Sequence, residues 1–190
     1  MKKALMILTV CASFLFAQDG ALKFVQEKDS QLQALLKQQM KSDTPEVQAE
    51  LKTLVGEIFD FQELGTRALG EEAIKANAEK LPDFQVAFAN LLEKRFLQSV
   101  RGRLADSTTF KAPKAKKDYV KVKSYVFSGE KKTKVTYKLL EKEGSYKVFD
   151  LITGSSSTLK TYREMFAKLL EKKSFQEIID LLVKKTNETE

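Results

Sequence analysis

KKTKVTYKLLEKEGSYKVFDLITGSSSTLKTYREMFAKLL, residues Lys131 to Leu170, reads as a β-hairpin whose second strand feeds directly into an amphipathic helix. In the first strand Val135, Tyr137 and Leu139 alternate with Lys134, Thr136 and Lys138, the period of two expected when one face of a strand is buried. Glu143-Gly144-Ser145 reverses the chain. In the second strand Tyr146, Val148, Asp150 and Ile152 point one way and Phe149 and Leu151 the other. Both faces therefore carry apolar groups, and the pattern leaves open which of them looks inward. Gly154 ends the strand, and Leu159, Tyr162, Phe166, Leu169 and Leu170 follow at helical spacing, a stripe that needs a surface to lie on.

Working outward, Tyr119–Phe127 reads as a strand with Val120, Val122 and Val126 on one face and Tyr119, Tyr125 and Phe127 on the other, joined to the hairpin by Ser128-Gly129-Glu130. A short strand over Ser107–Lys111 and a loop over Ala112–Lys117 precede it. The N-terminal half is helical. Leu22, Val25, Leu32, Leu35, Leu36 and Met40 make one stripe, weakened at Glu27-Lys28-Asp29-Ser30, and Thr44-Pro45 opens a helix carrying Val47, Leu51, Leu54, Val55 and Ile58. After Leu81-Pro82, Phe84, Phe88, Leu92 and Phe96 recur every four residues and line one helix edge, as core or as the wall of a cavity. Ser174 and Glu177 have the spacing of a capping box ahead of Phe175, Ile178, Ile179 and Leu182. The fold class is α+β: a curved antiparallel sheet of about four strands wrapped by several helices and enclosing an apolar cavity.

Residues 1–17, MKKALMILTVCASFLFA, have two lysines, an apolar run and a small residue at the end, the pattern of a cleavable signal peptide. The run is short for a bilayer span, and Val10 before Cys11, with the apolar run continuing past it, argues against lipid attachment there. Export places the mature chain in the periplasm. It comprises a single domain over residues 18–185 and a polar tail over 186–190, long enough for a substantial core. Cleavage removes the only cysteine, so that core stands on packing alone. From Val100 to Lys138 there are twelve Lys or Arg against Asp106, Asp118 and Glu130, a local balance of +9 within a whole-chain charge of +7. A basic zone on an otherwise mildly acidic body suits an anionic partner or a solvated face, and export argues against nucleic acid.

The hairpin–helix stretch resembles the MlaC family of periplasmic phospholipid-transport proteins, whose pattern is aromatic-x-Val-x-Asp, Gly-x-Ser and Tyr-Arg-x-x-Phe. Here these are Tyr146-Lys147-Val148-Phe149-Asp150, Gly154-Ser155-Ser156 and Tyr162-Arg163-Glu164-Met165-Phe166. Upstream, Asp60-Phe61 and Leu69-Gly70, followed by Phe84, Phe88, Leu91-Leu92 and Phe96, are similar to the family's remaining motifs in order and distance. The family prefers Trp at Tyr146, a small aliphatic residue at Ser155, an aromatic one at Ala73 and Tyr at Phe96. The resemblance implies a phospholipid ligand, an outer-membrane lipoprotein–porin complex and an inner-membrane ABC transporter complex as partners, and a position beside the lipid tails for Ser155.

The chain has no histidine and, once processed, no cysteine, which removes the usual zinc arrangements, the Ser-His-Asp triad and thiol mechanisms. Ser155-Ser156-Ser157 lacks an apparent base, Asp60 and Asp150 have capping or solvated roles by default, and the eight glycines form no phosphate loop. No catalytic residue, metal or cofactor is assigned. What remains is apolar architecture with a basic mouth, for which lipid binding has a physical logic; the resemblance implies a carrier of one phospholipid between the two membranes, maintaining outer-membrane lipid asymmetry. Two acyl chains of about fifteen methylenes represent roughly 24 kcal/mol of gross transfer free energy, so the tails need an apolar space, at or above roughly 1,000 Å³, while the phosphate stays outside. The tail-wall candidates are Phe84, Phe88, Leu92, Phe96, Tyr137, Leu139, Phe149, Leu151 and, through the resemblance, Ser155. The mouth candidates are Lys131, Lys132, Lys134 and Arg163. The chain is expected to be a monomer. The competing readings are a non-catalytic binding or chaperone module that uses the basic strands and, less favoured without histidine, an enzyme in a cone-shaped α+β fold.

Overall fold

A computed structural model describes the backbone of residues 5–188 and the side chains of residues 19–188. The signal-peptide side chains and the last two residues of the expected tail lie outside the described residues. The helices are α1 (Leu5–Lys41), α2 (Pro45–Ile58), α3 (Phe61–Leu69), α4 (Glu71–Ala76), α5 (Leu81–Val100), α6 (Thr158–Leu170) and α7 (Phe175–Glu188). The strands are β1 (Ser107–Ala115), β2 (Val120–Ser128), β3 (Lys131–Lys142), β4 (Ser145–Thr153) and β5 (Ser156–Ser157), one antiparallel meander in sequence order. The sheet thus has five strands, the short β5 added to the four expected. Helix α1 runs unbroken through Glu27–Ser30, and α7 continues through the start of the polar tail. Thr44, Asp60 and Ser157 cap α2, α3 and α6 with their side-chain oxygens. Ser174 and Glu177 form the expected capping box, with Glu177 Oε2 accepting from the Ser174 N–H at 2.7 Å.

Two bulges shape the sheet. Lys138 pairs with Asp150 and Leu139 with Val148, leaving Phe149 without a partner on β3. The extra residue shifts the alternation by one. Tyr146 and Val148 therefore share a face with Leu151, while Asp150 and Ile152 turn to the opposite one, which corrects the uninterrupted alternation expected for this strand. In β1 the register jumps between Lys111, opposite Lys123, and Lys114, opposite Lys121, so Ala112 and Pro113 together face Val122. The stretch expected as a loop is strand through Ala115. Pro113, without an N–H to give a ladder, is tolerated because β1 is an edge strand and the proline falls at the irregularity.

The inner face of the sheet carries α1 and α2, where Ala21, Val25, Leu54, Val55 and Ile58 pack with Val120, Val122, Leu139 and Val148. Helices α3, α5, α6 and α7 form a second core around Phe84, Phe88, Phe166 and Phe175. The rings of Phe88 and Tyr162 meet edge-on at 4.8 Å and those of Phe84 and Phe166 at 5.1 Å. Gly65 on α3 admits this packing, since a Cβ there would stand 2.6 Å from the Phe88 ring.

Two carboxylates join sheet to helices. Asp150 is fully buried: Oδ1 accepts from the Leu159 N–H at 3.0 Å, the Ser157 hydroxyl donates to both oxygens, and Oδ2 pairs with Lys138 Nζ at 2.8 Å. Asp60 accepts from the Glu63 N–H at 2.8 Å, pairs with Lys142 Nζ at 2.7 Å, and donates its own N–H to the Val148 carbonyl at 2.9 Å. That contact raises the affinity of Lys142 for its proton, chiefly through the hydrogen bond to Asp60. Asp150→Ala should cost about 3 kcal/mol in urea unfolding, because it orphans two donors and the Lys138 charge. Asp150→Asn, which can still accept, should cost less, and a loss in Asp150→Ala below about 1 kcal/mol contradicts this role.

Candidate functional site

Helix α2 ends at Ile58 and covers only one end of the inner sheet face. At the other end Val126, Thr133, Val135, Leu151 and Thr153 line a cleft of about 820 Å³. Leu32 and Leu36 of α1, Leu92, Phe96 and Val100 of α5, Phe59, Phe61 and Leu64 around the α2–α3 junction, and Tyr162 of α6 form the facing walls. A chamber of about 160 Å³ adjoins it, lined by Phe24, Val25, Ile58, Tyr137 and Val148. The rings of Phe59 and Phe96, 4.6 Å apart, belong to both spaces. The single space of 1,000 Å³ or more expected from acyl-chain volume is here a smaller cleft with an adjoining side chamber.

Charge on the larger cleft has one sign. Among the described residues, Arg95, Arg103 and Lys131 line it and no carboxylate does. Arg95 Nη1 donates to the Tyr162 hydroxyl at 3.0 Å, which holds the guanidinium against the wall. Gln33 is occupied by the Ala105 N–H at 2.9 Å, tying the loop after α5 to α1. In the side chamber, burial raises the Asp29 carboxyl above its usual range against a hydrogen bond from Thr108. Burial first, and the Asp29 charge next, push the Tyr137 hydroxyl up to about 12.

The candidates separate into three groups. Leu92, Phe96 and Leu151 line the cleft, Tyr137 lines the side chamber, and Lys131 stands at the cleft. Phe84, Phe88 and Phe149 lie in the helical core and Leu139 in the packed half of the sheet face, each buried by protein. Ser155 is exposed in the turn after β4. Strand alternation sends Lys132 and Lys134 to the outer face, where Lys132 Nζ sits 4.4 Å from the centre of the Tyr125 ring. Arg163 donates to the Arg67 carbonyl at 3.0 Å, on the surface. Sequence reading passed over Arg95, Arg103, Val126 and Val135. The last follows from the alternation that marks Tyr137, and Arg103 belongs to the basic zone.

Residues 26–184 match the family model described as MlaC protein. The chain belongs to the MlaC family. A phospholipid-binding protein from Ralstonia solanacearum, solved in complex with a phospholipid, superposes with a TM-score of 0.69 at 17% identity, over 91% of this chain and 98% of that one. That likeness shows a shared fold. No curated protein matches the chain. The MlaC motifs now have physical content: Asp60 of the Asp-Phe pair donates to the carbonyl of Val148, two residues ahead of Asp150, so motifs distant in sequence meet at one joint.

The Tyr137 environment sets a pH dependence. Its pKa is higher folded, about 12, than the usual 10, so its contribution to stability is full below pH 10 and is lost as pH rises toward 12. The shift corresponds to about 3 kcal/mol. Tyr137→Phe should flatten the loss of stability above pH 10 by about that much in chemical unfolding at a series of pH values. Parallel curves for the two proteins would contradict the burial of this hydroxyl.

Proposed function

We propose that this protein is a periplasmic phospholipid carrier, non-enzymatic and monomeric, exported by residues 1–17 and binding lipid with the single domain that follows. The observation that carries this reading is the unpacked part of the sheet face, an apolar cleft with three cations and no carboxylate on its wall among the described residues, in a chain of the MlaC family. The fold shared with a protein solved in complex with a phospholipid supports it. Tails lie against Val126, Val135, Leu151 and Phe96, and their transfer from water supplies about 0.8 kcal/mol per methylene. The phosphate stays at the rim near Lys131, Arg95 and Arg103, where water still solvates it and the cations steady it without a closed grip. Such a site balances uptake against release, as a carrier between an outer-membrane lipoprotein–porin complex and an inner-membrane ABC transporter complex requires. Asp60 and Asp150 are both engaged in caps and ion pairs, which leaves them to structure rather than to acid–base chemistry.

Protein purified from bacterial cells and extracted with organic solvent should release one phospholipid per chain. Val126→Glu and Leu151→Glu place a carboxylate among the tails and should lower that content more than about tenfold, with far-UV circular dichroism unchanged. Wild-type lipid content in both folded variants would contradict the cleft as the binding site.

A further inference from the structure

Helices cover the inner face of the sheet, whereas on the outer face of β1, β2 and β3 the side chains of Lys111, Lys132 and Lys134 are exposed and those of Lys123, Tyr125 and Phe127 are half-buried. The register sets lysine against lysine there. Lys111 stands opposite Lys123, Lys114 opposite Lys121, and Lys121 opposite Lys138. Like charges directly opposite one another destabilise a sheet, and burial together with the crowding of Lys123, Lys116, Lys138 and Lys134 holds the Lys121 ammonium below its usual pKa. Among the described residues Asp150 is the one carboxylate ion-paired with these lysines, and it takes Lys138. Protection of an exposed edge accounts for lysines on β1. It does not account for Lys121, Lys123 and Lys134, which lie on interior strands.

We propose that this outer face docks the protein on an anionic bilayer surface, its ammonium groups at the headgroup phosphates and the rings of Tyr125 and Phe127 in the interfacial layer. Three features favour a bilayer over an acidic protein. The charges are lysines, point charges suited to a diffuse negative surface rather than to bidentate carboxylate recognition. They are spread over a sheet instead of converging on a pocket. Tyr125 and Phe127 stand opposite Lys134 and Lys132, and Lys132 Nζ lies 4.4 Å and 5.5 Å from their ring centres, an aromatic–cationic mixture suited to the membrane interface. The hairpin end at Ser128 and Lys131 borders both this face and the cleft, so docking brings the mouth to the bilayer. Surface binding itself needs no lipid in the cleft, although its use in the cell rests on the carrier reading.

The test is sedimentation of the purified protein with vesicles of phosphatidylcholine mixed with phosphatidylglycerol, and of phosphatidylcholine alone, at low and high salt. Wild type should bind the mixed vesicles, ignore the neutral ones and be released by salt. Each lysine near an anionic surface contributes about fivefold in partitioning, so Lys123→Glu/Lys132→Glu/Lys134→Glu should weaken binding at least about 100-fold. Extracted lipid should remain at wild-type content in that variant, which separates this surface from the cleft. Equal binding of wild type to both vesicle types, or undiminished binding of the folded triple variant, overturns the proposal. So does wild type that ignores both vesicles and is retained by a polyglutamate matrix, which would make the face an acidic-protein site. Should the triple variant misfold, the lipid-charge and salt dependence of wild type still decides.

Discussion

A carboxylate with no exposure to water governs how this sheet meets its helices. Asp150 is buried without an unmet oxygen because a lysine from β3, a hydroxyl at the start of α6 and the backbone N–H of Leu159 all converge on it. The geometry follows from the bulge at Phe149, which turns Asp150 away from the face that Val148 shares with Leu151. Were Phe149 paired in regular register instead, the alternation would put Asp150 on the face of Val148, toward α1 and α2, and α6 would lose its anchor. One extra residue thus assigns the two faces of β4 to different tasks, a polar joint on one side and apolar wall on the other.

The division of the inner face follows from length. Helix α2 reaches only as far as Ile58, and the chain then turns at Phe59 and Asp60 into α3, which belongs to the other core. Strands β2 and β3 continue beyond that cover to Ser128 and Lys131. Their apolar residues at that end, Val126 and Val135, belong to none of the packed core clusters and line the cleft instead. A protein interior normally fills such space. Leaving it unfilled forgoes the burial of several side chains and is a sensible arrangement where a ligand supplies the missing contacts.

Much of this was legible in the chain. The period-two strands, the turn at Gly144, the Thr44-Pro45 start and the Ser174–Glu177 box each rest on local chemistry, and each stands in the structure. The phase of β4 was not legible, because a bulge is decided by the partner strand and leaves no mark in a sequence rich in apolar residues on both faces. The helix stripe shows the same limit from the other side. Phe84, Phe88, Leu92 and Phe96 are equivalent by spacing, yet Phe84 and Phe88 lie wholly within the core shared with α6 and α7, Leu92 belongs to that core and also borders the cleft, and Phe96 lines the cleft outside it. Arg95 was hidden for a related reason: the bond to Tyr162 that holds it at the cleft comes from a residue 67 positions away.

The account depends on acyl chains lying against the uncovered half of the inner sheet face. The most direct measurement loads the protein with a phospholipid carrying a photoreactive diazirine near the end of one acyl chain, irradiates it, and maps the labelled peptides by mass spectrometry. The account predicts labels on the cleft-lining segments of β2, β3 and β4 and on the Leu92–Val100 half of α5. Labels on Phe84, Phe88 or Phe166, or no label above that of an unrelated protein, would contradict it.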